Sequence, residues 1–231
     1  MRPAKQFPTP FVRSVAAIFL KDWRSELRTR YAISALLMFV VTTIAIILFS
    51  LGSEGASPDA LSGMLWVVIF FSAMSGLSRT FVMEEERGTT LTLQLLARPS
   101  AVFLGKLLFN LVLVLGLNAV TVLLYAAGIN GFVIRNMGIF VVTVLLGSLG
   151  LAAASTIIAA VIARANTRGT LYPVLSFPIL LPLLLTVISA TRLASEGSFF
   201  QEALGEFQIL LSYIVVLTVV SFMLFDYIWK D

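Results

Sequence analysis

The sequence predicts an all-α membrane protein with six transmembrane helices and both termini cytoplasmic. Composition is the first reason. The 231 residues are 59% hydrophobic and only 12% charged, with mean hydropathy +1.00, whereas a soluble domain carries about a quarter charged residues. The second is six runs without Asp, Glu, Lys or Arg, each long enough for a hydrocarbon core about 30 Å thick. The third is charge placement. Of 16 Lys and Arg, 14 fall in residues 1–30, 79–106, 164–169 and the tail, and only Arg135 and Arg192 fall in the alternate segments. That is the pattern of a chain with its basic segments inside.

Taken in order, residues 1–10 are Pro-rich and basic and read as a tail. Residues 11–30 read as an interfacial amphipathic helix. Phe11, Val15, Phe19 and Trp23 recur at i, i+4, and Arg13, Lys21, Arg24 and Arg28 form a basic edge suited to lipid headgroups. Asp22 and Glu26 fall on the apolar side. Local pairing such as Glu26 with Arg30 is the favoured account; contact with Glu84–Glu86 is the other. The basic, non-apolar start argues against a cleavable signal peptide. The expected spans are 31–51, 60–78, 107–128, 136–163, 170–191 and 207–225, with Trp66 as an interfacial anchor. Residues 192–206 read as a short surface helix, and the whole of 1–231 as a single domain.

Between the second and third spans lies the long polar stretch Arg79–Lys106. Glu84-Glu85-Glu86 and Arg87 end a membrane helix, and Gly88 permits a reversal. Thr89 or Thr90 can cap a short helix, Pro99 stops it, and Ser100 can cap the next. The expected product is a short helix across the mouth of a hairpin, a natural dock for a soluble partner.

Within the spans, the absence of ionisable residues argues against proton-driven transport and against an intrinsic enzyme. Having neither Cys nor His, the chain has no disulfide, thiolate metal site or histidine ligand for haem. The basic pI of about 9.7 reflects topology and anionic lipid rather than nucleic acid. Asn110 and Asn118 share a helix face and suit interhelical hydrogen bonds. Gly147, Gly150 and Ala154 form a small-residue seam for close helix packing, within the bundle or across a dimer. Pro173, Pro178 and Pro182 crowd the fifth span, and the pair Pro178 and Pro182 predicts a broken or hinged helix.

The run Glu86-Arg87-Gly88-Thr89, then Leu95-Leu96-Ala97-Arg98-Pro99-Ser100, then Gly105-Lys106 resembles the coupling loop of ABC-2-type exporter permeases. With Phe19–Tyr31, Trp66–Lys106 and the proline-rich Leu175–Thr186 added, the whole chain is similar to the CcmB family, the haem exporter permease B of cytochrome c maturation. Phe177 stands where that family usually has a Leu-Pro pair. The resemblance places Glu84, Glu85, Glu86, Arg87, Gly88, Thr89, Leu93, Leu96 and Pro99 against a separate ATPase, CcmA. It also implies two copies of each subunit, association with CcmC and CcmD, and ATP-linked release of the haem-loaded chaperone CcmE. The membrane would be a bacterial inner membrane. ATP would sit on the ATPase and haem on partner proteins, with no cofactor bound here. The chain would then be a mechanical transmitter. A generic ABC-2 exporter of a lipid, drug or glycan and a non-transporting assembly scaffold are the alternatives.

Overall fold

The computed structural model describes residues 10–29, 31–51, 56–77, 80–86, 88–129, 131–163 and 168–230. Among these residues the secondary structure is helical throughout. The helices are α1 (Phe11–Thr29), α2 (Tyr31–Leu51), α3 (Pro58–Leu77), α4 (Val82–Glu86), α5 (Thr90–Leu96), α6 (Pro99–Gly128), α7 (Met137–Ala163), α8 (Arg168–Glu196) and α9 (Leu204–Lys230). Six of them, α2, α3, α6, α7, α8 and α9, are long and apolar enough to cross a membrane. Helices suit that task because every backbone group is satisfied within the segment.

α7 is the centre, packing on α8, α9, α6 and α3. Its small side chains are the cause. A Cβ on Gly147 would run into the Trp66 ring of α3, and one on Gly150 would lie 2.5 Å from Leu183 Cδ1 of α8. Ala154 is fully buried. The seam is therefore spent inside the bundle, where it lets neighbouring helices approach closely. Trp66 is no interfacial anchor. It is wholly buried, and its Nε1 donates to Thr191 Oγ1 of α8 at 2.8 Å. An indole needs such a partner when it leaves water, and Thr191 ends the fifth expected span at the right height to supply it.

The asparagines bond between helices, as their shared face suggests. Asn110 Nδ2 donates to Thr156 Oγ1 and Asn118 Nδ2 to Ser148 Oγ, both at 2.8 Å, joining α6 to α7.

Two boundary expectations need correction. α6 begins at Pro99, not Leu107, so Gly105 and Lys106 lie within the helix. Pro99 is its first residue, where a missing N–H costs nothing and a fixed φ helps; Arg98, not Ser100, occupies the N-cap position. α8 continues to Glu196, and Gly197, at φ 82°, turns the chain into a 3-10 turn over Phe200–Ala203. That turn replaces the longer surface helix expected over 192–206.

The break expected in the fifth span is not observed. α8 runs unbroken through Pro178 and Pro182. Both rings are exposed on its outer side, while Leu180, Leu183, Val187, Ala190 and Ala194 form a continuous buried stripe. Proline weakens the preceding turn of the helix ladder; within that turn, Tyr213 Oη of α9 donates to the Ile179 carbonyl at 2.9 Å. Pro173 falls on the part of α8 whose side chains lie outside the described residues.

The bundle has two distinct ends. At one, the Arg135 and Asn136 amides donate to the Ala194 carbonyl, Asn136 Oδ1 accepts from the Ile139 amide to cap α7, and Arg192 pairs with Asp59 at 3.4 Å. That exposed pair adds little stability. The other end, formed by α1, α4, α5, the start of α6 and the end of α9, carries the site described next.

Candidate functional site

The site is the polar stretch between α3 and α6, and it has a buried base and an exposed rim. Gly88, at φ 64°, makes the reversal between α4 and α5 that its lack of a side chain permits. Thr89 takes the N-cap position of α5 but makes no side-chain cap. Its hydroxyl instead donates back to Glu84 Oε2 at 2.5 Å. Thr90 likewise turns to Glu85 Oε2, at 2.8 Å. Arg87 lies outside the described residues.

Glu84 anchors the base. Only 7% exposed, it faces inward and cannot offer its carboxylate to another protein. Oε1 accepts from Lys106 Nζ at 3.2 Å and pairs with Lys21. Lys106 is 1% exposed, and all its donors are used: Asp22 Oδ2 at 3.2 Å, the Thr80 carbonyl at 2.9 Å and Glu84. Its Nζ also lies 5.0 Å from the centre of the Phe81 ring, a favourable place for a desolvated cation. Lys21 completes the cluster with Asp22 at 3.2 Å. α1 comes close enough because Gly105 precedes Lys106. A Cβ there would meet Ile18 Cγ2 at 2.8 Å and the Val15 carbonyl oxygen at 3.1 Å.

For Asp22 the favoured local account is thus corrected. Asp22 reaches the neighbouring Lys21 and, on α6, Lys106, and Lys21 carries the contact to Glu84. Glu26 is buried, and its Oε1 accepts from the Ile33 amide at the start of α2; Arg30 lies outside the described residues. Arg13, Arg24 and Arg28 remain on the exposed side of α1.

Burial works to raise the Glu84 carboxyl, but the Lys106 charge and the hydrogen bonds from Lys21 and Thr89 outweigh it and hold it down at about 2. Lys21 is raised: burial lowers it, and Asp22 and Glu84 more than reverse that. A depressed carboxylate gives stability that is complete above the unfolded value and is lost as pH falls through the folded one. For Glu84 that window runs from about 4.5 down to about 2. Thermal unfolding in detergent should therefore show no contribution from Glu84 to the pH dependence between pH 8 and 5; a Glu84→Gln chain with a flatter profile in that interval would contradict this.

The rim is apolar. Leu91, Leu95 and Leu96 of α5 are 72%, 80% and 75% exposed, whereas Leu93 packs inward against the core. Glu85 is half-buried and Glu86 exposed, and Pro99 is half-buried at the start of α6. A second anchor holds α5 from α9: Gln94 Nε2 donates to the Trp229 carbonyl at 2.6 Å. Below it, Phe81 stacks near Phe225 and Trp229, with ring centres 5.6 and 6.1 Å away, and Phe103 contacts Phe225 at 5.2 Å.

Sequence reasoning missed Lys106, Thr80, Gln94 and the Phe81–Phe225–Trp229 cluster as site residues. The signal for Lys106 was present: it interrupts an apolar run, Asp22 and Glu26 fall on the apolar side of α1, and charges out of place on separate helices are candidates to meet.

The six spanning helices, with a short helix carried on a buried ionic base at one end, mark the chain as a multi-pass membrane protein. The family described as CcmB protein matches residues 13–226. The chain belongs to the CcmB family. It is therefore a membrane subunit of the haem-export and cytochrome c maturation ABC system, a system that includes an ATPase and other Ccm proteins. A search of the curated proteins finds no match to the chain.

Proposed function

We propose that this subunit couples ATP hydrolysis on a separate cytoplasmic ATPase, CcmA, to the handling of haem by its partners. The observation that carries the reading is the rim of α5. Three leucines stand exposed on one short helix whose other side is fixed to the bundle. Burying one such side chain is worth about 1.5–3 kcal/mol, so three form a strong docking point for a soluble partner. The charge distribution supports placing α1, α5 and both termini on the cytoplasmic side of a bacterial inner membrane. The exposed Arg13, Arg24 and Arg28 of α1 then face anionic headgroups.

In this reading Leu91, Leu95 and Leu96 make the ATPase contact, Glu86 and Glu85 flank it, and Glu84 supports it from within. The chain acts as one permease domain, paired with a second copy and associated with CcmC and CcmD. ATP stays on the ATPase and haem on the partners, and ATP turnover drives release of haem-loaded CcmE. A chain without His or Cys suits a transmitter of motion better than a haem ligand.

The combined variant Leu91→Ser, Leu95→Ser and Leu96→Ser is expected to insert normally while co-purification of CcmA falls at least about tenfold, as for loss of interface hot spots. Covalent c-type cytochromes should disappear from cells that depend on it. Glu86→Ala should change co-purification little. Undiminished CcmA capture by the leucine variant would remove α5 as the docking helix.

A further inference from the structure

We infer that Lys106 is a positioning residue that joins α1, α5 and α6 into one moving body. The inference rests on the reading of α5 as the ATPase-docking helix. Lys106 is buried in α6, and its three donors go to three different places: Asp22 on α1, the Thr80 carbonyl ahead of α4, and Glu84 on α4. Glu84 passes the connection onward, because its second oxygen accepts from Thr89 at the head of α5. Gly105 adds a close backbone approach of α1 to α6 beside the same lysine.

A charged cluster so fully used resists piecemeal change. Moving α5 relative to α6 would separate buried opposite charges or strip Glu84 of a donor, and each is costly away from water. Moving α1, α5 and α6 together breaks none of these bonds. A push on α5 is therefore passed to α6, a spanning helix, and to α1, which is tied in turn to α2 through Glu26 and the Ile33 amide. The spanning helices α8 and the upper part of α9 are outside this network, so they form the frame against which the body moves.

The chain has no cysteine, which allows labels to be introduced cleanly. Thr92→Cys on α5 would be paired with Leu27→Cys on α1, or with Leu185→Cys on α8, all at exposed positions. Spin-label distances would be measured in the complex with its ATPase, without nucleotide and with ATP trapped. The expected result is a nucleotide-dependent change between 92 and 185 and none between 92 and 27. Thr89→Val removes one hydroxyl and leaves the ion pairs; Glu84→Gln is the second variant. Both should keep ATPase co-purification, let the 92–27 distance change with nucleotide, and lower c-type cytochrome maturation about tenfold, within the range of ordinary coupling free energies. A 92–27 change in the unsubstituted chain as large as the 92–185 change would overturn the inference. So would fixed distances for both pairs, or variants indistinguishable from the unsubstituted chain. Failure of the docking reading looks different: the leucine variant would still capture the ATPase, whatever the distances do.

Discussion

Lys106→Met is expected to destabilise the bundle by about 3–5 kcal/mol, the usual cost of removing one partner from a buried ionic group. Met matches the volume of the lysine stem, so little packing is lost. What changes is electrostatic. Among the described residues, Asp22 and Glu84 would be left with Lys21 as their cation, and its side chain is 45% exposed. The Thr80 carbonyl would lose its donor as well. Thermal or denaturant unfolding of the purified chain in detergent measures the effect. The double variant Lys106→Met and Glu84→Gln should recover much of the loss, because the uncompensated charge goes with its partner. A single variant as stable as the unsubstituted chain would mean that water reaches the cluster and that the lysine is not its keystone.

Gly147→Val should cost about 3 kcal/mol, the upper part of the range for overpacking a core. The new Cβ would run into the Trp66 ring and lie 3.2 Å from Val187 Cγ1. Neither neighbour can give way easily. Trp66 is wholly buried and tethered by its indole N–H to Thr191, and Val187 is fully buried on α8. The smaller Gly147→Ala should cost less, and Trp66→Phe should partly relieve it. In a double-mutant cycle the two changes should couple by about 1 kcal/mol or more, as contacting residues do. Strict additivity would show that Gly147 and Trp66 do not meet.

These two predictions mark where sequence and structure divide. The six helices of spanning length were legible because lipid imposes a one-dimensional rule: a segment must be apolar, long and internally hydrogen-bonded. Family membership was legible too, since Trp66–Lys106 and Leu175–Thr186 carry it in their residue order and the match extends over residues 13–226. So was the short helix after Gly88, because a positive φ is written into glycine. The direction in which a side chain points was not legible. Trp66 could suit an interface or a core, and only the packing of α3 on α7 and α8 decided for the core. Pro178 and Pro182 suggested a break, yet both fall on the outer face of α8, and the helix continues through them over a buried stripe on its other side. Glu84 looked like part of an exposed acidic run. Its partners stand 63 and 22 positions away, and Asp22 and Lys106 are 84 apart. Hydropathy reads each segment by itself, and ionic pairing across such separations is set by which helices come together. The sequence by itself therefore determined the spans, their charge-biased ends and the family. The tertiary structure alone decided that the charge at the base of α5 is buried and paired across helices and that the leucines of α5 stand exposed, because both depend on which helices come together.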